Sequence, residues 1–112
     1  MSQENVVYAA SDAVASVSPE PGARREVLAH NEKLMIVRNS FVKGWSGARH
    51  AHPHEQSVYV VEGHVHFEAE GKSWELRKGD SVVVAGNVAH QASAVEDSVV
   101  LDIFTPFRQD FL

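Results

Sequence analysis

Glycine-bearing breaks cut this chain into strand-length pieces from residue 25 onward, and no other feature constrains its fold as tightly. Lys43-Gly44, Glu62-Gly63, Glu70-Gly71, Lys78-Gly79-Asp80 and Ala85-Gly86-Asn87 all suit tight reversals, because Gly and Asn accept positive φ at low cost. The runs between them are short and β-like: Arg25 to Ala29, Lys33 to Phe41, Ser57 to Val61, His64 to Glu70, Ser73 to Leu76, Ser81 to Val84, Gln91 to Ala94 and Ser98 to Phe104. Strands at this interval predict an all-β sandwich or barrel. No segment carries the pattern of a three-turn helix, and there is no internal repeat.

Before residue 23 the pattern is weaker. Asn5-Val6-Val7-Tyr8 is expected to pair as an edge strand, and Ser16 to Gly22, rich in Ser and Pro, is expected to turn. The division is therefore an arm over 1–22 and one β domain over 23–112. At 112 residues and 44% apolar content, a chain of this size buries roughly two thirds of its unfolded surface in one core. It has no cysteine, which excludes disulfides and thiolate ligation and leaves nitrogen and oxygen donors for any metal. A net charge of −5 without a dense basic patch argues against nucleic acid as a partner. The first residues lack a signal-peptide pattern, and no apolar run reaches the length of a membrane span, so a cytoplasmic protein acting on small molecules is expected.

Period-2 alternation assigns faces within the strands. Along His64 to Glu70, Val65, Phe67 and Ala69 face the core, while His64 and His66 face away. Near the C-terminus Val99, Leu101 and Ile103 share one face; Val100, Asp102 and Phe104 share the other. An aspartate in so apolar a strand is costly without a partner. It implies a lined cavity or an exposed face, and periodicity does not choose between them.

His50, His52, Gln56 and His90 form a second pattern. In extended backbone, residues i and i+2 point to one side, so His50 and His52 aim at a common point. Neutral imidazole is the commonest protein ligand for transition metals, and together the four side chains make a ligand set for one divalent ion. Glu55 lies one residue away and would become the fourth ligand if the register slipped. His54 follows Pro53, which breaks the alternation, and is left outside the set. His30 falls at the turn Ala29-His30-Asn31-Glu32; Trp45 and Trp74 read as packing or interface residues.

With Gly44 before it and Gly63 after it, His50-Ala51-His52-Pro53-His54-Glu55-Gln56 resembles the first cupin motif, G-x5-H-x-H-x3-E-x6-G, with Gln56 where glutamate is usual. The second motif, G-x5-P-x-G-x2-H-x3-N, is met by Gly79 and His90, while Ala85, Asn87 and Ala94 replace its Pro, Gly and Asn. The resemblance runs from about Arg24 to Leu112. It implies a single-domain cupin, a double-stranded β-helix or jelly-roll barrel, with His50, His52, Gln56 and His90 on the metal.

Within that superfamily, His52-Pro53-His54-Glu55-Gln56, Tyr59-Val60-Val61-Glu62-Gly63 and the ending from Leu101 to Leu112 resemble the KdgF-type cupins, pectin-degradation proteins that linearise 4,5-unsaturated uronates. The resemblance implies that Asp102 and Arg108 are catalytic and that Phe104 and Arg108 contact substrate. Asp102 would move protons as the cyclic hemiacetal opens and the enol becomes a ketone. Phe107 and Gln109 depart from the polar and acidic residues expected around that arginine. Three imidazoles and an amide leave a divalent ion its full 2+ charge, which favours an anionic ligand such as a uronate. Nickel, zinc, iron, manganese and cobalt all suit such donors. Two other readings stand beside this one: an iron-dependent dioxygenase for a small organic substrate, and a non-catalytic sugar-binding cupin. A homodimer is expected.

Overall fold

The computed structural model describes residues 5–112; the first four residues of the arm lie outside it. Nine strands form two antiparallel sheets: β1 (Ser16–Glu20), β2 (Ala23–His30), β3 (Met35–Phe41), β4 (Glu55–Glu62), β5 (His64–Ala69), β6 (Lys72–Arg77), β7 (Ser81–Val84), β8 (His90–Ala94) and β9 (Ser98–Thr105). The larger sheet runs β1-β2-β3-β9-β4-β7 and the smaller β6-β5-β8. This is the expected jelly roll, and each of the eight strands read from residue 25 onward is present within two residues at either end. A single 3-10 turn, η1 (Gln109–Phe111), is the sole helical element among the described residues. Among the described residues no helix is long and apolar enough to cross a membrane.

The edge strand lies elsewhere than expected. Residues 5–10 form no ladder, and the strand at the sheet edge is Ser16–Glu20, where a turn was expected. All five of its residues are exposed. It is held by main-chain pairing to β2, with a register irregularity between Val17 and Glu20. Having no buried face, it leaves no apolar alternation to read.

Alternation succeeds where one face is buried. Val65, Phe67 and Ala69 are buried and join Val58, Val60, Leu76, Val84 and Val100 in the core between the sheets. A second cluster groups Met35, Val37 and Phe104, with Phe107 and Phe111 packed against it. The β5–β6 hairpin turns on Glu70 and Gly71, both at positive φ, the two-residue loop that matches strand twist. Gly63 answers a different need. Its φ is +98°, and a Cβ there would stand 2.4 Å from the Asp97 carbonyl oxygen.

Pairing outside the named strands sets the site. Residues 44–50 run along the free edge of β8: Gly44 and Ala94, Gly47 and Ala92, then His50 and His90 are joined main chain to main chain. His50 and His90 exchange both N–H···O bonds, at 3.0 and 2.9 Å. Their side chains therefore leave the sheet on the same side.

Candidate metal centre

That register brings His50 and His90 face to face, with ring centroids 4.5 Å apart, and His52 joins them at 5.6 and 5.0 Å. One ring nitrogen from each of the three lies within 4.8 Å of the others. Every Nδ1 is spoken for. It faces the carbonyl oxygen of Ala48 from His50, of His54 from His52 and of Val88 from His90, at 2.9 to 3.1 Å. A carbonyl only accepts, so the ring proton sits on Nδ1 and each Nε2 keeps its lone pair. Nε2 of His90 is buried with no hydrogen-bond partner.

Gln56 stands beside the three rings. Its side-chain nitrogen donates to Oδ1 of Asp102 at 2.8 Å, so Oε1 faces Nε2 of His52, 2.9 Å away. Two lone-pair atoms stand opposed there with no proton between them. That spacing suits two neighbouring ligands at about 2.1 Å from one cation. Burial, together with the nearby charges of Arg108 and the other imidazoles, lowers the pKa of both His52 and His90 and keeps the rings in the neutral, ligating form. The donor set thus fits a divalent transition ion.

Asp102 faces the cavity. Cross-strand registers put it opposite Val58 on β4 and Val37 on β3, so Gln56 and Asn39 reach it diagonally, one from each neighbouring strand. Asn39 donates to Oδ2 and Gln56 to Oδ1. Burial pushes the carboxyl pKa up, against the pull of these two donors. A cavity of about 330 Å³ opens onto it, and His50, His90, Gln56, Phe104 and Arg108 line the same space.

Arg108 is no solvated tail. Its side chain is 13% exposed, and its guanidinium donates from Nε and Nη2 to the two oxygens of Asp110, at 3.0 and 2.8 Å. The group lies over the rings of Phe104 and Phe111, at 5.1 and 4.3 Å. Phe104 is both a core aromatic against Met35 and Val37 and part of the cavity wall.

Residues 38–104 match the cupin domain family. The pectin degradation protein KdgF of Dickeya dadantii is 36% identical over 93 residues, 81% of this chain and 84% of that protein. The chain belongs to the cupin family. The structure of KdgF from a Halomonas species superposes with a TM-score of 0.89 at 37% identity, covering 94% of this chain and 97% of that one. An RmlC-like cupin from Shewanella frigidimarina gives 0.90 at 34% identity, covering 98% and 97%.

The degenerate second cupin motif keeps its backbone. Asn87, standing where that motif has glycine, adopts φ +68°, a conformation asparagine tolerates better than most residues. Its N–H donates to the His52 carbonyl at 2.7 Å and ties the His90 loop to the first motif. Glu55 lies outside the cluster: it is exposed and accepts from the Gly86 N–H at 3.3 Å. His54 stays outside the cluster, as do His30, His64 and His66. Trp45 stacks on Phe41 at 3.8 Å on the cavity side and donates to Glu20. Sequence reasoning did not find Asn39, Arg25, Asp110 or Phe111. For Arg25 the available signal was alternation along β2, where Ala23, Arg25 and Val27 share a row; for Asp110 and Phe111 it was the resemblance carried by the ending from Leu101 to Leu112.

Proposed function

We propose that this cupin converts 4,5-unsaturated uronate monosaccharides from pectin or alginate breakdown to linear keto-uronates. One observation carries the reading: a buried carboxyl, Asp102, shares a cavity with His50, His90 and Arg108, and His52 converges on the same two imidazoles, in a chain similar over most of its length to KdgF. His50, His52, Gln56 and His90 would hold the ion. When bound it supplies a Lewis acid and template, with its charge uncancelled by these neutral donors.

Asp102 takes the proton from the hemiacetal hydroxyl as the ring carbon–oxygen bond breaks. The sugar is then an open aldehyde with an enolate at C5. Delivery of that proton from Asp102 to C4 converts the enolate to the ketone, so the reaction is an isomerisation with no net proton. A carboxyl whose pKa burial has raised suits both halves of the exchange. Phe104 offers its ring to the sugar's apolar face, and Arg108, held in place by Asp110, bounds the site with positive charge.

Metal-loaded protein incubated with a 4,5-unsaturated monouronate should accelerate the loss of ultraviolet absorbance from the ring double bond. No acceleration over the spontaneous reaction overturns the proposal. Turnover at full rate without oxygen separates it from iron-dependent oxygenation.

A further inference from the structure

Arg108 is not the only guanidinium in the cavity. Arg25, on β2, lines the same space and lies over the ring of Phe111 at 4.0 Å, while Arg108 lies over that ring at 4.3 Å. The two cations differ in one respect. Asp110 pairs with Arg108 through both of its oxygens, whereas Arg25 forms no ion pair or side-chain hydrogen bond among the described residues. Glu20 also borders the cavity, but its carboxylate accepts from the Trp45 indole.

Arg25 belongs to the inward row of β2. Ala23 is buried beside it and Val27 packs on the second core cluster, while Glu26, between them, pairs outside with Arg38. A half-buried cation turned into a barrel without an ion-pair partner is costly. The cost is recovered if an anion enters.

We infer that Arg25 is the residue that recognises the substrate's carboxylate. This rests on the uronate reading and adds a contact that neither Asp102 nor Arg108 supplies. The planar guanidinium fork matches a carboxylate with two parallel hydrogen bonds. Position supports the assignment as well. Arg25 stands directly opposite Asn39 in the sheet, and Asn39 holds Asp102. In an unsaturated uronate the carboxylate hangs on C5, and C4, which must receive the proton, is the next ring atom. A carboxylate anchored at Arg25 therefore holds C4 two bonds from the anchored carbon, in the cavity that Asp102 also lines.

Calorimetric binding of galacturonate and of its uncharged methyl ester to metal-loaded protein tests this apart from turnover. Wild type should bind the acid roughly 10- to 100-fold tighter than the ester, the range expected for hydrogen bonds between charged groups. Arg25→Gln should bind the acid as weakly as the ester, and Arg25→Lys should recover part of the difference. In turnover of the unsaturated uronate, Arg25→Gln should lose kcat/KM mainly through KM. The inference is overturned if wild type shows no preference for the acid, or if Arg25→Gln and Arg25→Lys both keep that preference in full. Acid preference that depends on Arg25, in a protein that does not linearise the unsaturated sugar, would leave the inference standing and remove the proposed reaction. Thermal unfolding of each variant checks that the barrel is intact; if Arg25→Gln does not fold, the Lys variant decides alone, a full acid preference in it overturning the inference.

Discussion

A single buried hydrogen bond joins Gln56 to Asp102, Nε2 to Oδ1 at 2.8 Å, and it determines which end of the amide faces the histidines. The carboxylate takes the amide hydrogens, so the amide oxygen is left for the cluster. Asp102 is thereby both the proposed proton carrier and the group that orients a proposed ligand. Replacement can separate the two roles. Asp102→Asn keeps an acceptor for Gln56, and Asn39 can turn its own amide to match; metal content should be retained while turnover falls at least about 100-fold. Asp102→Ala removes the acceptor, and metal affinity should fall as well, by roughly 10- to 100-fold. Equal metal loss in both variants, measured by elemental analysis after dialysis, would reduce Asp102 to a positioning residue.

Chelation gives the second prediction. Stripping the ion should abolish turnover and lower Tm, because a ligand that binds only the folded chain stabilises it, by about 2.7 kcal/mol at a free concentration 100 times its Kd. His52→Ala should unfold at the same temperature with and without added metal. A metal-dependent rise in its Tm equal to that of wild type would show that the ion binds elsewhere.

The outer face of the small sheet gives a pH prediction independent of the site. His66 lies between Glu68 and Glu75, and His64 also reaches Glu75. The Glu68 and Glu75 carboxylates raise the His66 pKa above its usual 6.5, so its stabilising effect is full below pH 6.5 and fades as pH rises through the raised value. The two imidazoles lower the Glu75 pKa below 4.5; its effect is full above pH 4.5 and fades as pH falls through the lowered value. In chelator, the Tm advantage of wild type over His66→Gln should therefore be greatest between pH 4.5 and 6.5 and shrink on both sides. A flat difference would show that these contacts contribute nothing.

Asn87 tests the backbone of the second motif. At φ +68°, Asn87→Gly should change stability by no more than roughly 0.5–1 kcal/mol. Asn87→Val should lose about 1–2 kcal/mol and should weaken metal binding, since this residue's N–H secures the His52 carbonyl. Urea unfolding with equal midpoints for Asn87→Val and wild type would contradict it.

The limits of the sequence reading follow from the same physics. Eight strands were legible because each alternates over a buried face or ends at a turn residue, and His50, His52 and His90 were legible from spacing. Asp102 was not resolved, because both faces of β9 are apolar: Val99, Leu101 and Ile103 on one side, Val100 and Phe104 on the other. Only its diagonal donors Asn39 and Gln56 place it. β1 escaped because all its side chains are exposed. Arg25 escaped because one inward charge in an eight-residue strand resembles ordinary surface charge until the cavity behind it is seen.

The exception in the first cupin motif yields the last prediction. Glutamate, usual at position 56, could bind a metal but could not donate to Asp102, whose partner there is an N–H. Gln56→Glu would set two carboxyls at hydrogen-bond distance in a buried place, and such a pair retains one proton between them. Metal content should hold, since a carboxylate is a competent ligand. Turnover near pH 7 should fall, and the acid limb of kcat/KM should move to higher pH as the pair resists its last ionisation. An unchanged pH profile in this variant would mean that Asp102 does not carry the proton. A shifted profile with metal retained would show that glutamine stands at this position because one side chain must offer an oxygen to the ion and a hydrogen to the carboxylate.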